Sequence, residues 1–143
     1  MADTQANIAL IRELYGHYLR GDLDAVAAGV TPDLEWHSGG SSEPFPAFGP
    51  RKGPQQMREF FHIVSTALDF DEFAPRDFYA DQDKVFVLGR IAVTMKQGGA
   101  KAASDFVHIF TVANGKVTKF REFLDTAAIA KAYRPSLSST ARA

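Results

Sequence analysis

The chain has 143 residues, enough for one domain with a core of its own and too few for two ordinary domains. Its formal net charge of −1 excludes the basic surface typical of nucleic-acid-binding and membrane-surface proteins, and the absence of cysteine excludes disulfides and thiolate chemistry. Because neither a long apolar run nor a signal peptide is evident, we expect no membrane association and a cytoplasmic location.

Three helices are predicted in the first half of the chain. Apolar residues at helical spacing predict the first helix over residues 4–20. Asp22 is suited to cap a second, short helix over residues 23–29, because its side chain can accept a hydrogen bond from a free backbone N–H group. Pro54 is suited to the first turn of a third helix over residues 54–68, where its missing N–H group is not needed.

A short strand and a long irregular segment separate the second helix from the third. Residues 34–37 are predicted to form the strand. Residues 38–53 are too rich in Gly, Ser and Pro for regular structure, yet they carry Phe45 and Phe48. Aromatic rings on such a segment are typical of a lid or a pocket rim, and they suit simple coverage of the core equally well.

The second half of the chain is predicted to form strands. Residues 70–80 form a strand in which Pro75 indicates an edge position or a bulge. Residues 84–95 form a long strand, and residues 104–125 form a hairpin. Helices followed by a run of strands indicate the α+β class, with an antiparallel sheet that carries its helices on one face.

The C-terminal end is expected to be simple. Residues 126–134 are predicted to form a short helix that completes a single domain over residues 1–134. The remaining stretch, residues 135–143, begins with proline and is rich in serine, so we expect it to be a disordered tail.

The hairpin has two possible registers around Asn114-Gly115, a strong turn signal. In the first, a two-residue loop places Asp125, Phe123 and Arg121 on one face with Phe106, His108 and Phe110. In the second, a three-residue loop shifts the pairing by one residue and reverses the partnership. Asp125, Phe123 and Arg121 then share their face with Asp105, Val107 and Ile109. The residue pattern leaves both registers open.

Ionisable residues within the apolar strands are the candidates for chemistry. Arg90 interrupts a nearly continuous apolar strand, and a buried guanidinium needs a carboxylate, for which Asp105 and Asp125 are the candidates. Asp125 is placed to act as a general acid or base, and equally to cap the C-terminal helix. His37 ends the first strand beside two glycines, a position that suits proton transfer or a structural role. No spacing typical of metal ligands occurs, so no metal site is expected.

The order of these segments resembles the NTF2-like superfamily, and within it the SnoaL-like branch, over nearly the whole chain. The most diagnostic piece is the hairpin sequence HIFTVANGKVTKFREFLD. The resemblance implies a cone, in which a strongly curved antiparallel sheet wraps over three helices and encloses a deep pocket. The branch is similar to polyketide cyclases, ketosteroid isomerases and limonene-epoxide hydrolase, which implies chemistry without a cofactor.

The resemblance carries over to individual residues only in part. Asp125 matches an acid that does acid–base work in the cyclases and the hydrolase. Arg90 matches an arginine of the hydrolase, but Ala92 stands where that enzyme has a second aspartate, which weakens epoxide hydrolysis. His37 or Ser38 occupies the zone of the isomerase base, where no carboxylate stands, so the isomerase site is not preserved as such. The resemblance also favours the three-residue loop and therefore turns Asp125 inward.

The leading hypothesis is a cofactor-independent acid–base enzyme of the isomerase, cyclase or hydrolase type. Asp125 would be the acid or base, oriented by Arg90 and assisted by His37, and the substrate would be an apolar cyclic or carbonyl-containing compound. The rival hypothesis is a non-catalytic ligand-binding or dimeric scaffold protein, because the same fold hosts many functions.

A pocket and an interface follow from the three-residue register. The pocket is expected to have an ordinary volume of about 300–1,000 Å³. Its expected walls are Leu14, Tyr18, Trp36, Phe61, Leu88, Val107, Ile109 and Phe123. The other face of the hairpin would then be apolar and uncovered, which predicts a two-fold homodimer packed sheet against sheet. The expected interface residues are Phe106, Phe110 and Phe120, with His108 and Glu122.

Overall fold

A computed structural model describes the backbone of residues 3–142 and the side chains of residues 3–134. Its helices are α1 (Thr4–Leu19), α2 (Leu23–Ala28), α3 (Gly53–Ala67) and α4 (Thr126–Arg142). Its strands are β1 (Val30–Ser38), β2 (Gly49–Lys52), β3 (Leu68–Asp81), β4 (Lys84–Met95), β5 (Lys101–Ala113) and β6 (Lys116–Leu124). Most of the tail predicted over residues 135–143 lies within the backbone range of α4, which ends at Arg142, and its disorder stays a prediction.

The six strands form one curved, unclosed sheet in the order β2-β1-β6-β5-β4-β3. Every neighbouring pair is antiparallel except β1 and β6, which run parallel. The predicted α+β class is confirmed, with β2 as an additional strand inside the segment expected to be irregular. Within the described residues, no helix combines the length and the hydropathy that a membrane span requires.

The β5–β6 hairpin combines features of both predicted registers. Asn114 and Gly115 form a two-residue turn, with φ values of 52° and 75°, and Ala113 pairs with Lys116. One extra residue, Thr118, then enters β6, because Val112 pairs with Val117 whereas Thr111 pairs with Lys119. This bulge restores the face partnership of the three-residue alternative.

The predicted direction of the two hairpin faces was wrong. Side chains of β5 and β6 that point towards the helices form the inner face of the hairpin, and the opposite side chains form its outer face. The inner face carries the buried residues Phe106, His108, Phe110 and Phe120. The outer face carries Val107, Ile109, Arg121 and Phe123, of which Phe123 is 47% exposed. The pairing of residues within a face was therefore right, but each face points the other way.

The structure decides two local predictions, the position of the strand that contains Pro75 and the placement of Phe45 and Phe48. The β3 strand lies at the edge of the sheet, and its register shifts between Pro75 and Asp77, as the proline indicated. The segment between β1 and β2 folds back, so that Phe45 and Phe48 are both buried in the core. Their rings meet edge to face with centroids 5.1 Å apart.

Candidate functional site

A chain of four polar side chains crosses the interior between α1 and the sheet. The Tyr15 hydroxyl lies 2.6 Å from Nδ1 of His108, and Nε2 of His108 lies 2.6 Å from Oε2 of Glu122. The Ser38 hydroxyl donates to the other oxygen, Oε1 of Glu122, over 2.5 Å. His108 and Ser38 are buried, and the Glu122 side chain is only 12% exposed.

The local fold explains why these four residues meet. His108 and Glu122 are direct cross-strand partners in the β5–β6 pairing, so their side chains emerge side by side on the inner face. Ser38, the last residue of β1, pairs with Glu122 in the parallel β1–β6 ladder. Tyr15 belongs to the buried stripe of α1, which also contains Ile11 and Leu14.

The electrostatics of the four hydrogen-bonded side chains favour an ionised Glu122. Burial by itself would raise the pKa of this carboxyl group. The charge that His108 carries in its imidazolium form, together with hydrogen bonds from His108 and Ser38, outweighs burial and lowers the pKa below its ordinary value. Burial, and secondarily the negative charge of Glu122, raise the pKa of Tyr15 and raise that of Tyr18 to about 12. Both phenols therefore stay protonated at neutral pH.

The chain has two proton arrangements, distinguished by the Tyr15–His108 contact. When His108 is neutral with its proton on Nε2, it donates to Glu122 and its Nδ1 accepts the Tyr15 hydroxyl proton. When His108 is an imidazolium, both ring nitrogens donate, and the Tyr15 oxygen becomes an acceptor. The Tyr15 proton is then free to point elsewhere, and one proton has been stored on the pair His108–Glu122.

A mainly apolar cavity of about 110 Å³ adjoins the chain. Tyr15, Ser38, His108 and Glu122 all line it, so the polar chain faces the cavity rather than lying sealed in the core. The remaining walls are aliphatic and aromatic, and the rings come from the helices, the sheet and the β1–β2 segment. The aromatic lining residues are Tyr18, Trp36, Phe45, Phe48, Phe60, Phe61, Phe70, Phe73, Phe110 and Phe120. These rings make the cavity smaller than predicted from ordinary ligand sites.

Half of the predicted pocket residues line this cavity. Leu14, Tyr18, Trp36 and Phe61 do so. The other four, Leu88, Val107, Ile109 and Phe123, do not, because they lie on the outer side of the sheet. Leu88 is 40% exposed and Phe123 is 47% exposed. These four predictions were wrong for one common reason, the reversed direction of the hairpin faces.

The predicted acid–base residues lie outside the cavity. Asp125 is exposed, and its Oδ1 accepts a hydrogen bond from the backbone N–H group of Ala128 over 3.0 Å, so it caps α4. The Arg90 guanidinium pairs with Asp105 at 3.0 Å and lies 3.9 Å from Glu72, on the outer side of the sheet. The expected Arg90–Asp125 pair in a pocket is therefore replaced by an exposed Arg90–Asp105 pair.

His37 also lies outside the cavity, on the outer side of β1. Its Nε2 atom donates to the carbonyl oxygen of Gly40 over 3.0 Å, which ties the ring to the turn that follows the strand. The neighbouring Ser38 points inward because successive residues of a strand alternate between faces. The residue of this segment that faces the cavity is therefore Ser38, the neighbour of the predicted His37. Among the described residues, no three His, Cys, Asp or Glu side chains are grouped as they would be around a metal ion.

Sequence reasoning placed His108 and Glu122 at an interface and missed their role in the interior. A usable signal was present in residue size. Three of the four phenylalanine rings of the hairpin, Phe106, Phe110 and Phe120, share a face with His108, whereas the opposite face of β5 carries smaller Val107 and Ile109. Phe106 stacks on the His108 ring with centroids 4.0 Å apart. Bulk of this kind is typical of the face that packs against the helices.

Comparisons with known proteins identify a family and similar folds. The family model of the SnoaL-like domain matches residues 11–120. An NTF2-like protein from Burkholderia xenovorans LB400 is 28% identical, with a TM-score of 0.83 over 91% of this chain and 97% of that one. An NTF2-like protein of unknown function from Burkholderia pseudomallei K96243 is also 28% identical, with a TM-score of 0.79 over 92% and 98%.

A third similar structure carries a named compound. TerC, co-crystallised with polyporic acid, is 28% identical to this chain, with a TM-score of 0.78 over 90% of this chain and 98% of that one. No match was found among curated proteins. The structural similarities confirm the predicted fold, including its curved sheet.

Proposed function

This chain belongs to the SnoaL-like domain family, and we propose that its cavity binds a small, largely apolar compound on which the Tyr15–His108–Glu122–Ser38 chain performs proton transfer. The fold is related to that of polyketide cyclases and isomerases. The observation that carries the proposal is the hydrogen-bonded chain itself, buried and yet open to an apolar cavity. Ionisable groups held in this way cluster at functional sites.

The proton path follows from the two arrangements of the chain. A C–H group next to a carbonyl group of the ligand gives its proton to the Tyr15 oxygen, while the Tyr15 proton moves to Nδ1 of His108. The products are an enolate in the cavity and an imidazolium on His108. Tyr15 carries no net charge in this step, which accords with its raised pKa. Return of the proton to another carbon is an isomerisation, and attack of the enolate on an internal carbonyl group is an aldol-type cyclisation.

Glu122 and Ser38 have supporting roles in this scheme. The Glu122 carboxylate accepts from Nε2 of His108, fixes its tautomer and stabilises the imidazolium, as the acid does in an acid–histidine–hydroxyl triad. The Ser38 hydroxyl donates a hydrogen bond to the second carboxylate oxygen and so holds the Glu122 side chain in place. A hydrolysis would require the same hydrogen-bonded side chains to take a proton from water.

The test is deuterium exchange at the α-carbon of 2-tetralone in D2O, followed by proton NMR. We expect the protein to accelerate the exchange and Tyr15→Phe to remove roughly 10²–10⁴-fold of that acceleration. Tyr79→Phe is the matched control, because Tyr79 is 59% exposed on β3 and should leave the exchange unchanged. Equal exchange in both variants would overturn the role of Tyr15.

A second candidate function, ligand binding without turnover, is favoured by the modest size of the cavity. Trp36 is the single tryptophan of the chain and stacks on Phe120 with centroids 3.9 Å apart, so its fluorescence reports on the cavity. Titration with 2-tetralone, a neutral ketone, is a direct probe. Fluorescence quenching that saturates, with no exchange of 2-tetralone, would favour this second function over acid–base chemistry.

The homodimer stays a proposal, through a different set of residues. Phe106, Phe110 and Phe120 are buried on the inner face and cannot form the contact that was expected. The outer side of the sheet instead presents Leu88 and Phe123, both well exposed, with half-buried Val107 between them and half-buried Ile109 further along β5. Because successive side chains of a strand alternate between the two sides of the sheet, these apolar residues remain available on the outer side for a second copy of this chain.

A further inference from the structure

Two buried side-chain polar atoms of the described residues have no hydrogen-bond partner, Oγ1 of Thr31 and Nε1 of Trp36. Only Trp36 lines the cavity. Its side chain is about as buried as Phe120, with 7% of the residue exposed. The structure therefore contains one buried donor at the cavity wall whose hydrogen bond is not made within the protein.

The surroundings of the indole explain why no protein partner is available. Its ring packs against Phe120, Phe60 and Phe61, with centroids 3.9, 5.4 and 5.5 Å away. These neighbours are hydrocarbon rings without an acceptor atom. An indole N–H group can only donate, so its partner must be an acceptor. An unpaired buried donor lowers stability, and a phenylalanine would fill similar space without that penalty.

The indole stands at a fixed separation from the acid–base chain. Trp36 and Ser38 are two residues apart on β1 and point inward together, and their partners on β6 are Phe120 and Glu122. Two residues of a strand span about 7 Å. One cavity wall thus carries the Trp36 indole, whose N–H group has no partner in the protein, and, about that distance along the strand, the side chains of Ser38 and Glu122.

We propose that the Trp36 N–H group is the anchor for a neutral acceptor on the ligand, in particular a carbonyl oxygen, and thereby determines which compounds the cavity accepts. The described lining residues include no Lys or Arg, and Glu122 is ionised, so an anionic acceptor would be disfavoured. The ligand class is an apolar ring compound with a carbonyl group, whose oxygen accepts from Trp36 and whose ring fills the apolar part of the cavity. This inference rests on the proposed ligand-binding role of the cavity and does not require the proton-transfer step.

The test uses the single tryptophan as a spectroscopic label. The protein is labelled with ¹⁵N at the indole nitrogen and titrated with cyclohexanone or with methylenecyclohexane, which has nearly the same shape and a far weaker acceptor. We expect cyclohexanone to shift the indole proton downfield and to slow its exchange with water, and methylenecyclohexane to do neither. The affinity for the ketone should exceed that for the hydrocarbon by about 10-fold, the size of one neutral hydrogen bond.

A pair of variants separates the hydrogen bond from ring packing. Trp36→Phe should abolish the preference for cyclohexanone in calorimetric titrations, whereas Phe60→Leu should weaken both compounds alike and keep the preference. Ketone binding without a response of the indole proton would overturn the anchor while leaving the proposed function intact. Binding of neither compound would contradict the ligand site and the anchor together. Because the NMR titration uses the unaltered protein, the result does not depend on how well a variant folds.

Discussion

The two sides of the β4–β5–β6 sheet carry similar chemistry in opposite environments. On the inner side, Nε2 of His108 lies 2.6 Å from Glu122, and the two side chains are 5% and 12% exposed. On the outer side, Arg90 lies 3.0 Å from Asp105, and the two side chains are 40% and 86% exposed. Both are contacts between a basic and an acidic residue on neighbouring strands.

Burial, rather than the presence of an ion pair, distinguishes a candidate site from a surface contact. Water screens the Arg90–Asp105 pair, and either partner can be solvated alone. His108 and Glu122 have little access to water, so the charge of each depends on the proton of the other. In the proposed scheme, that dependence allows a proton taken up at Tyr15 to be stored on His108 and Glu122, which the outer pair cannot do.

Removal of one partner from each pair should expose this difference most strongly. Glu122→Ala leaves His108 buried without its acceptor, and we expect the free energy of unfolding to fall by about 3–5 kcal/mol. Asp105→Ala is the matched change on the outer side and should cost about 0–1 kcal/mol. Urea denaturation of both variants measures the comparison. Similar losses in the two variants would mean that burial does not set the importance of these pairs.

Acidification should reveal the same difference between the inner and outer pairs, with a smaller effect on the free energy of unfolding. Burial tends to raise the pKa of Glu122, but His108 and Ser38 lower it below the ordinary value of 4.5. A lowered folded-state pKa stabilises the protein at pH above 4.5, and this contribution disappears as pH falls through the lowered value. The stability difference between the natural protein and Glu122→Gln should therefore be largest near neutral pH and shrink below about 4.5.

A matched control completes the pH experiment. Asp105→Asn removes a carboxylate from the outer side. Its free energy of unfolding should depend on low pH in the same way as that of the natural protein. Unfolding free energies would be measured from pH 3 to pH 7 for all three proteins. A stability difference for Glu122→Gln that grows towards low pH would have the wrong sign for this account.

The outer side of the sheet offers the smallest expected change in monomer stability. Phe123 is 47% exposed, so Phe123→Glu should alter the stability of a single chain by about 0.5 kcal/mol or less. If two copies pack through this side, buried carboxylates would separate them, and light scattering should show a mass near 15.7 kDa for the variant. The natural protein should show twice that mass. A natural protein that is already monomeric at micromolar concentration would refute the dimer.

Local sequence signals predicted much of the fold. Asp22 caps α2 as expected, accepting from the backbone N–H group of Ala25 over 3.1 Å. Pro54 lies in the first turn of α3, and Pro75 marks a register shift in an edge strand. These features depend on backbone preferences of single residues, which the sequence carries directly. The short strand β2 was missed because its residues Gly49–Lys52 have no strand-like composition.

The site was harder to predict because it depends on which way a face points. Both faces of the hairpin are apolar, so alternation shows which residues are neighbours and leaves inside and outside undetermined. A bulge at Thr118 adds to the difficulty, since no turn rule places it. The family resemblance led to Asp125, which caps α4, whereas Glu122 lies three residues earlier on the inner face. A role of Asp125, Arg90 and His37 in catalysis stays a prediction.

The central claim is that acid–base chemistry belongs to the inner side of the sheet, and one measurement tests it most directly. The rate of α-deuterium exchange in 2-tetralone would be compared between Glu122→Gln and Asp125→Asn. Asparagine caps a helix about as well as aspartate, so the second variant keeps α4 intact. We predict that Glu122→Gln loses roughly 10²–10⁴-fold of the acceleration and that Asp125→Asn keeps it. Loss of exchange in Asp125→Asn with full exchange in Glu122→Gln would contradict the account.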